Sequence, residues 1–204
     1  MASVPAATDR RSYHHGRLRD ALLDAAERGL REHGSDQLSL RELAREIGVS
    51  HAAPRRHFPD RQALLDALAE AGFHRLDAAL RAALEGAAED FPSRVRAAAN
   101  AYTRFATENA ALLELMYSSK HRPGATHIVE AAEAPFGLMH DLVREGQEQG
   151  ALQAGDTQRI GIVLFATLQG ITAIINGNFV PPELAEGLVD TAVDQFLRGA
   201  RPLP

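Results

Sequence analysis

Apolar positions recur every three or four residues along almost the whole chain. Leu18, Ala21, Leu22, Ala25, Ala26, Gly29 and Leu30 fall on one face of a first helix, which "EHGSDQ" stops at His33-Gly34. Leu40, Leu43, Ala44 and Ile47 line a short second helix, with Ser39 as cap and Glu42 completing an S-x-x-E capping box. Gly48 ends it in a left-handed conformation that only glycine adopts cheaply, and Val49 plugs the turn. Ser50 then caps a third helix running to about Phe58. Pro54 falls near its start and removes the first intrahelical hydrogen bond. Asp60 caps a fourth helix, in which Ala63, Leu64, Ala67, Leu68, Ala71, Leu76, Leu80 and Leu84 hold the helical period out to about Gly86. Further helices are predicted at about 92–117, 125–149, 156–177 and 182–198, separated by "GAAEDFP", "SSKHRPG", "EQGALQAGD" and "NGNFVPP". No strand-like alternation, repeat or low-complexity tract interrupts the pattern. It predicts an all-α fold of about nine helices behind a disordered arm at residues 1–12, "MASVPAATDRRS".

Composition narrows the chemistry. The 204 residues include 45% hydrophobic and 24% charged positions, enough to bury a core, and they contain no cysteine. Disulfides, thiolate zinc sites, iron–sulfur clusters and thiol redox sensing are therefore excluded within this chain. Arg10-Arg11 is followed by "SYHHGRLRD", with no apolar export segment, and even "IGIVLFATLQGITAII" is interrupted by Gln169 and threonines. A cytoplasmic location with no membrane partner is expected. The formal net charge is −5, but it is unevenly spread: residues 1–61 hold 11 Lys/Arg against 9 Asp/Glu, and residues 62–204 hold 11 against 18. Five of the nine histidines also lie in the first 61 residues, so an anionic polymer is favoured at the N-terminal end.

The second and third helices, joined by a three-residue turn with small Ala44 four residues before Gly48, have helix-turn-helix spacing over about residues 37–56. On the third helix the positions expected to be exposed, Ser50, His51, Ala52, Arg55 and Arg56, combine two cations with small residues that permit approach to base edges. Ala53 and His57 flank this set, His57 as a cap or core residue beside Phe58. Ser39, Arg41 and Arg61, at the starts of the second and fourth helices, are placed to meet phosphates. Nine histidines also invite a metal reading. Yet His14-His15 are adjacent, and no helix carries H-E-x-x-H or a two-His, one-carboxylate spacing, so no metal, cofactor or catalytic residue is expected. A helical adaptor or metal-binding protein without DNA binding is the alternative.

The stretch "YHHGRLRDALLDAAERGLREHGSDQLSLRELAREIGVSHAAPRRHFPDRQALLDALAEAGF", residues 13–73, resembles the N-terminal DNA-binding domain of TetR-family transcriptional regulators. The specific part is the series "LSLRELA…GVS…HF…ALL". The resemblance implies a homodimer whose three N-terminal helices bind double-stranded operator DNA, while residues 74–204 form a core that senses a small-molecule effector and dimerises. It implies that the third helix is the recognition helix, that Arg61 takes the place of the family's usual Lys, and that Arg55 stands where many members have Tyr. The function implied is a repressor released from its operator by an effector. "FATLQGITAI", residues 165–174, is similar to a C-terminal subgroup, with Gln169-Gly170 in place of its His-Gly and without its Trp.

For the effector, residue types suggest Tyr102, Phe105, Met116 and Tyr117 on one side of a cavity, Phe136, Met139 and His140 on another, and Phe165 with Gln169 on a third. Buried Tyr102, His140 and Gln169 are the favoured polar contacts. For the dimer, small Gly161 and Gly170 permit close helix packing, and Leu188, Ala192 and Phe196 form an apolar face on the last helix.

Overall fold

The computed structural model describes the backbone of residues 9–202 and the side chains from residue 18 onward. Those residues form nine α-helices and no strand: α1 (Asp9–His33), α2 (Leu40–Glu46), α3 (Arg61–Glu85), α4 (Phe91–Glu108), α5 (Ala110–Lys120), α6 (Thr126–Glu148), α7 (Thr157–Asn176), the single turn α8 (Pro182–Ala185) and α9 (Leu188–Gly199). One continuous apolar core runs from Leu22 and Ala26 through Phe58, Leu64, Phe73 and Met116 to Leu164 and Val193. The spine is α3, the fourth helix expected from the sequence. Its N-terminal part packs on α1, and along its length it meets α4, α5 and α6, while α7 and α9 close the far side against α4.

Where helices meet closely, residue size decides the fit. A Cβ on Gly72 of α3 would lie 2.6 Å from Sδ of fully buried Met116, so only glycine lets α5 approach this near. Arg75 ties three helices together. It donates to Glu27 of α1 at 2.6 Å and to the Asn109 carbonyl oxygen Oδ1 at 2.9 Å, and it lies over the Phe105 ring.

Four expectations about elements need correction. Helix α1 begins at Asp9, so helix covers the last residues of the expected arm; residues 1–8 lie outside the described residues, as do the side chains of His14 and His15. The expected helix at 92–117 is two helices, because Asn109 (φ −126°, ψ 41°) turns its side-chain amide onto the Phe105 carbonyl and competes with the helical ladder. The expected helix at 182–198 breaks at Gly187, whose φ of 70° is left-handed. The third helix is replaced by turns around one 3₁₀ turn, Pro54–Arg56.

Candidate functional site

Local chemistry explains the shape of the 48–58 segment. Gly48 adopts φ 72°, and the amides of Val49 and Gly48 bond back to the carbonyls of Ala44 (2.9 Å) and Arg45 (3.3 Å), the paired bonds of a Schellman ending. After it, Ala53 bonds to the Ser50 carbonyl, and His57 and Phe58 both bond to the Pro54 carbonyl at 2.9 Å. Pro54 has no amide hydrogen and its ring opposes the carbonyl four residues back, so an α-turn cannot close across Ser50 and a 3₁₀ turn forms instead. The proline ring is buried, and so is Phe58, beneath the guanidinium of Arg19 5.7 Å from its ring centroid. These two residues anchor the segment from below. On the outside stand Ser50, His51, Ala52, Arg55 and Arg56, all exposed, with Ala53 and His57 half-buried at the edge. Neither Arg55 nor Arg56 has a carboxylate within 4 Å among the described residues.

Around this surface the expected phosphate residues divide. Arg41 is exposed on α2. Ser39 occupies the N-cap position with extended backbone, but its hydroxyl makes no capping bond, so the expected capping box with Glu42 is not closed. Arg61 is engaged internally: its guanidinium donates to the Leu38 carbonyl at 3.0 Å and to the Ser35 carbonyl, and lies 3.8 Å from Asp36. It thereby clamps the loop that leads into α2.

A second feature lies between α5, α6 and α7, a cavity of about 830 Å³. Of the residues expected there, Tyr117, Phe136, Met139, His140, Phe165 and Gln169 line it. Phe165 is its centre, edge-on to Phe136 at 5.6 Å, Tyr102 at 5.7 Å and Tyr117 at 6.3 Å between centroids. Tyr102 sits behind the wall and donates to Gln169 Oε1 at 2.6 Å, with the Tyr117 hydroxyl 3.2 Å away. Burial pushes the Tyr102 phenol far above its ordinary pKa, reinforced by Tyr117; burial also raises Tyr117, against the opposing effect of its hydrogen bond with Tyr102. Tyr102, Phe105 and Met116 do not line the cavity: Phe105 and Met116 lie in the core, and Tyr102 stands behind the wall. His140 lines it as expected but from the surface side, with a side chain 53% exposed where burial was expected. Lys120, His121 and Glu133 line the cavity and were missed, although Lys120 follows Tyr117 by one helical turn.

The cavity is wired to the helix that carries the turn. Arg122, next to lining residue His121, reaches α3 and binds Asp66, which also accepts from Gln62 at 2.8 Å. Asp66 is the buried carboxylate of α3, little more than one turn from Arg61.

The residues expected at a dimer contact separate too. Gly170 lies on an open face of α7, and a Cβ there would meet nothing within 4 Å. Gly161 instead lines the cavity, while Ala192 is buried and Leu188 and Phe196 are half-buried against this chain's own core. Helix α9 is further held to α4 by Arg96–Asp194 and by Asn100–Asp190. The exposed large apolar residues are others: Val129 on α6, Ile162 and Val163 on α7, and Phe179 and Leu184 after it. By length and composition α7 is apolar enough to cross a membrane, and 22% of its most apolar window is buried. No group of three His, Asp or Glu among the described residues gathers to hold a metal.

A family model described as "Bacterial regulatory proteins, tetR family" matches residues 22–68, and one described as "Tetracyclin repressor-like, C-terminal domain" matches residues 95–196, half of the chain. The chain belongs to the TetR family. This TetR-family protein is a transcriptional regulator with an N-terminal DNA-binding domain and a C-terminal ligand-binding domain, in a family whose members are generally non-enzymatic and typically act as repressors. No curated protein matches its sequence. Among solved structures it is similar to a protein of unknown function from Rhodococcus sp. RHA1, at 50% identity and TM-score 0.86 over 92% of this chain and 97% of that one. It shares its fold with the TetR family transcriptional regulator PfmR from Thermus thermophilus (24% identity, TM-score 0.70, 87% and 97% covered). It also shares it with the fatty acid degradation regulator FadR from Bacillus halodurans (22% identity, TM-score 0.71, 89% and 99% covered).

Proposed function

We propose that this regulator is a homodimeric repressor that occupies an operator and is released when a small molecule fills the cavity between α5, α6 and α7. The observation that carries the reading is the exposed set Ser50, His51, Ala52, Arg55 and Arg56, held rigidly over buried Pro54 and Phe58. Two unpaired guanidinium groups supply bidentate donors for guanine or phosphate, and the small residues between them remove bulk that would hold a groove at a distance. Arg41 and the Ser39 hydroxyl add contacts to the flanking phosphates. Arg61 supports this indirectly, by fixing the loop ahead of α2. The DNA-binding part extends to about residue 73, within α3, and the sensing part begins there.

One copy reads only one half-site. The exposed apolar stripe of α7, with Ile162, Val163 and Gly170, together with Phe179 and Leu184, offers the surface for a second copy, which sets two reading segments about one DNA turn apart. Effector binding acts on the end of α5. It shifts Arg122, and through Asp66 it tilts α3 and changes the separation of the two segments. Because the chain has no cysteine, Ser50→Cys provides a single spin-label site per copy. Footprinting on DNA upstream of the protein's own gene tests the reading. Two protected half-sites related by symmetry and one turn or slightly more apart are expected; uniform protection or none overturns it. No catalytic step enters this reading, and a cytoplasmic location accords with it.

A further inference from the structure

Two of the polar groups lining the cavity are donors left without an acceptor, and they identify the ligand chemistry. An amide oxygen only accepts, so the single proton of Tyr102 goes to Gln169 Oε1 (2.6 Å), and the Tyr117 hydroxyl then directs its own proton to the Tyr102 oxygen. The oxygen of Gln169 is thus occupied, and the two hydrogens of its Nε2 have no acceptor among the described residues. At the other end of the aromatic group, Lys120 Nζ sits 4.1 Å from the centroid of Phe136 and has no carboxylate within 4 Å. The ammonium of this half-buried lysine, set against an aromatic face beside the cavity, is placed to meet a bound anion. The contacts run in order: Lys120 on Phe136, Phe136 on Phe165, Phe165 on Tyr102, and Tyr102 on Gln169.

The geometry points to an effector that is an aromatic carboxylate: an apolar ring body edge-on to Phe136, Phe165 and Tyr117, its anion on Lys120 and a second, uncharged acceptor on the Gln169 amide. This rests on the reading of the cavity as the effector site. The acidic residue of the lining, Glu133, is exposed at the rim and would repel a second negative charge, which favours a monoanion. The volume of about 830 Å³ leaves room for a body of two or three rings.

The test uses matched pairs of carboxylates and their primary carboxamides on phenyl, biphenyl and naphthyl bodies, each with and without a para-acetyl or equivalent acceptor. Binding to the full-length protein is measured by calorimetry. At least one acid is expected to bind about tenfold more tightly than its amide, the worth of a charge-assisted bond. In Lys120→Met that acid-to-amide ratio falls to near one, because both ligands lose the same packing and only the acid loses the charge. In Gln169→Leu the advantage of the acetyl group disappears while the acid preference stays. Glu133→Gln leaves the monoanion bound as well or better. Equal binding of acids and amides, binding of neither, or an acid preference that survives Lys120→Met overturns the proposal. A gel shift of the ligand-free protein on its upstream DNA separates this from the regulator reading: loss of DNA binding there sinks the latter and leaves the ligand chemistry standing.

Discussion

Breaking the link between Arg122 and Asp66 is the sharpest way to test how the cavity addresses the DNA-binding part. The Asp66 side chain is only 13% exposed and has two partners, Gln62 at 2.8 Å and the Arg122 guanidinium, which is itself 36% exposed. Arg122→Ala leaves a buried carboxylate with one neutral hydrogen bond. Removing one member of a buried pair typically costs about 3–5 kcal/mol. Water reaches the partly exposed Arg122 side, so the cost is discounted to the bottom of that range or just below it, about 2–3 kcal/mol. The arrangement itself is not ideal, because Nε of Arg122 is buried without an acceptor. A double replacement, Asp66→Leu with Arg122→Met, is therefore expected to recover most of the loss, leaving a coupling of about 2 kcal/mol or more in the cycle. Urea unfolding at constant m-value is the assay for stability. In a DNA-binding titration the double variant keeps operator affinity and loses effector release. A cost below about 0.5 kcal/mol for Arg122→Ala, or strictly additive single changes, would refute the reasoning.

Three other outcomes follow from the same contacts. Gly72→Ala gains helix propensity of up to about 1 kcal/mol but drives a Cβ to 2.6 Å from fully buried Met116, for an expected net loss of about 1–2 kcal/mol, read as a lower Tm; a stabilised variant would show that α3 and α5 are not so closely packed. Tyr102, whose ionisation is pushed upward by burial, favours the folded state while its phenol is neutral; its contribution is whole below the ordinary tyrosine range near pH 10 and is lost as pH rises beyond it. Tyr102→Phe should therefore flatten the alkaline fall in Tm, and an unchanged fall would speak against it. Val163→Glu, on a side chain 60% exposed, should leave the fold intact and shift a dimer to monomer in sedimentation equilibrium, with loss of operator binding; an unaltered dimer would place the contact elsewhere.

Much of the fold was legible because helical periodicity and turn residues act locally. Gly34 and Gly48 end helices with positive φ, Asp60 caps α3 by accepting from Ala63, and the five positions expected to face outward after Gly48 do so. What escaped depends on competition or on tertiary contact. Asn109 offers no periodicity break, yet its amide captures the Phe105 carbonyl and Arg75 fixes its oxygen, so one predicted helix becomes two. Pro54 is plain in the sequence, but its effect in so short a segment is to replace the α-helix and not merely to loosen its start. Aromatic and small residues on α4 to α7 look alike in a periodic pattern. Only packing distinguishes Phe105 and Met116, in the core, from Phe136 and Phe165, in the cavity wall, and only packing brings Lys120 against Phe136. Likewise the apolar stripe of α9 faces its own chain, whereas α7 buries Leu164, Leu168 and Ile171 and leaves a second stripe, with Ile162 and Val163, exposed.

The most direct test of the central claim is a polarisation titration of the wild-type protein and the Arg55→Ala, Arg56→Ala double variant, on DNA from upstream of its own gene and on a shuffled duplex, at several salt concentrations. Wild type is expected to prefer the upstream DNA by about a thousandfold or more, with affinity falling steeply as salt rises. The double variant should lose that preference and lower the slope of log affinity against log salt by about two for each copy bound. Equal binding of wild type to both duplexes, or a double variant indistinguishable from wild type, would contradict the account.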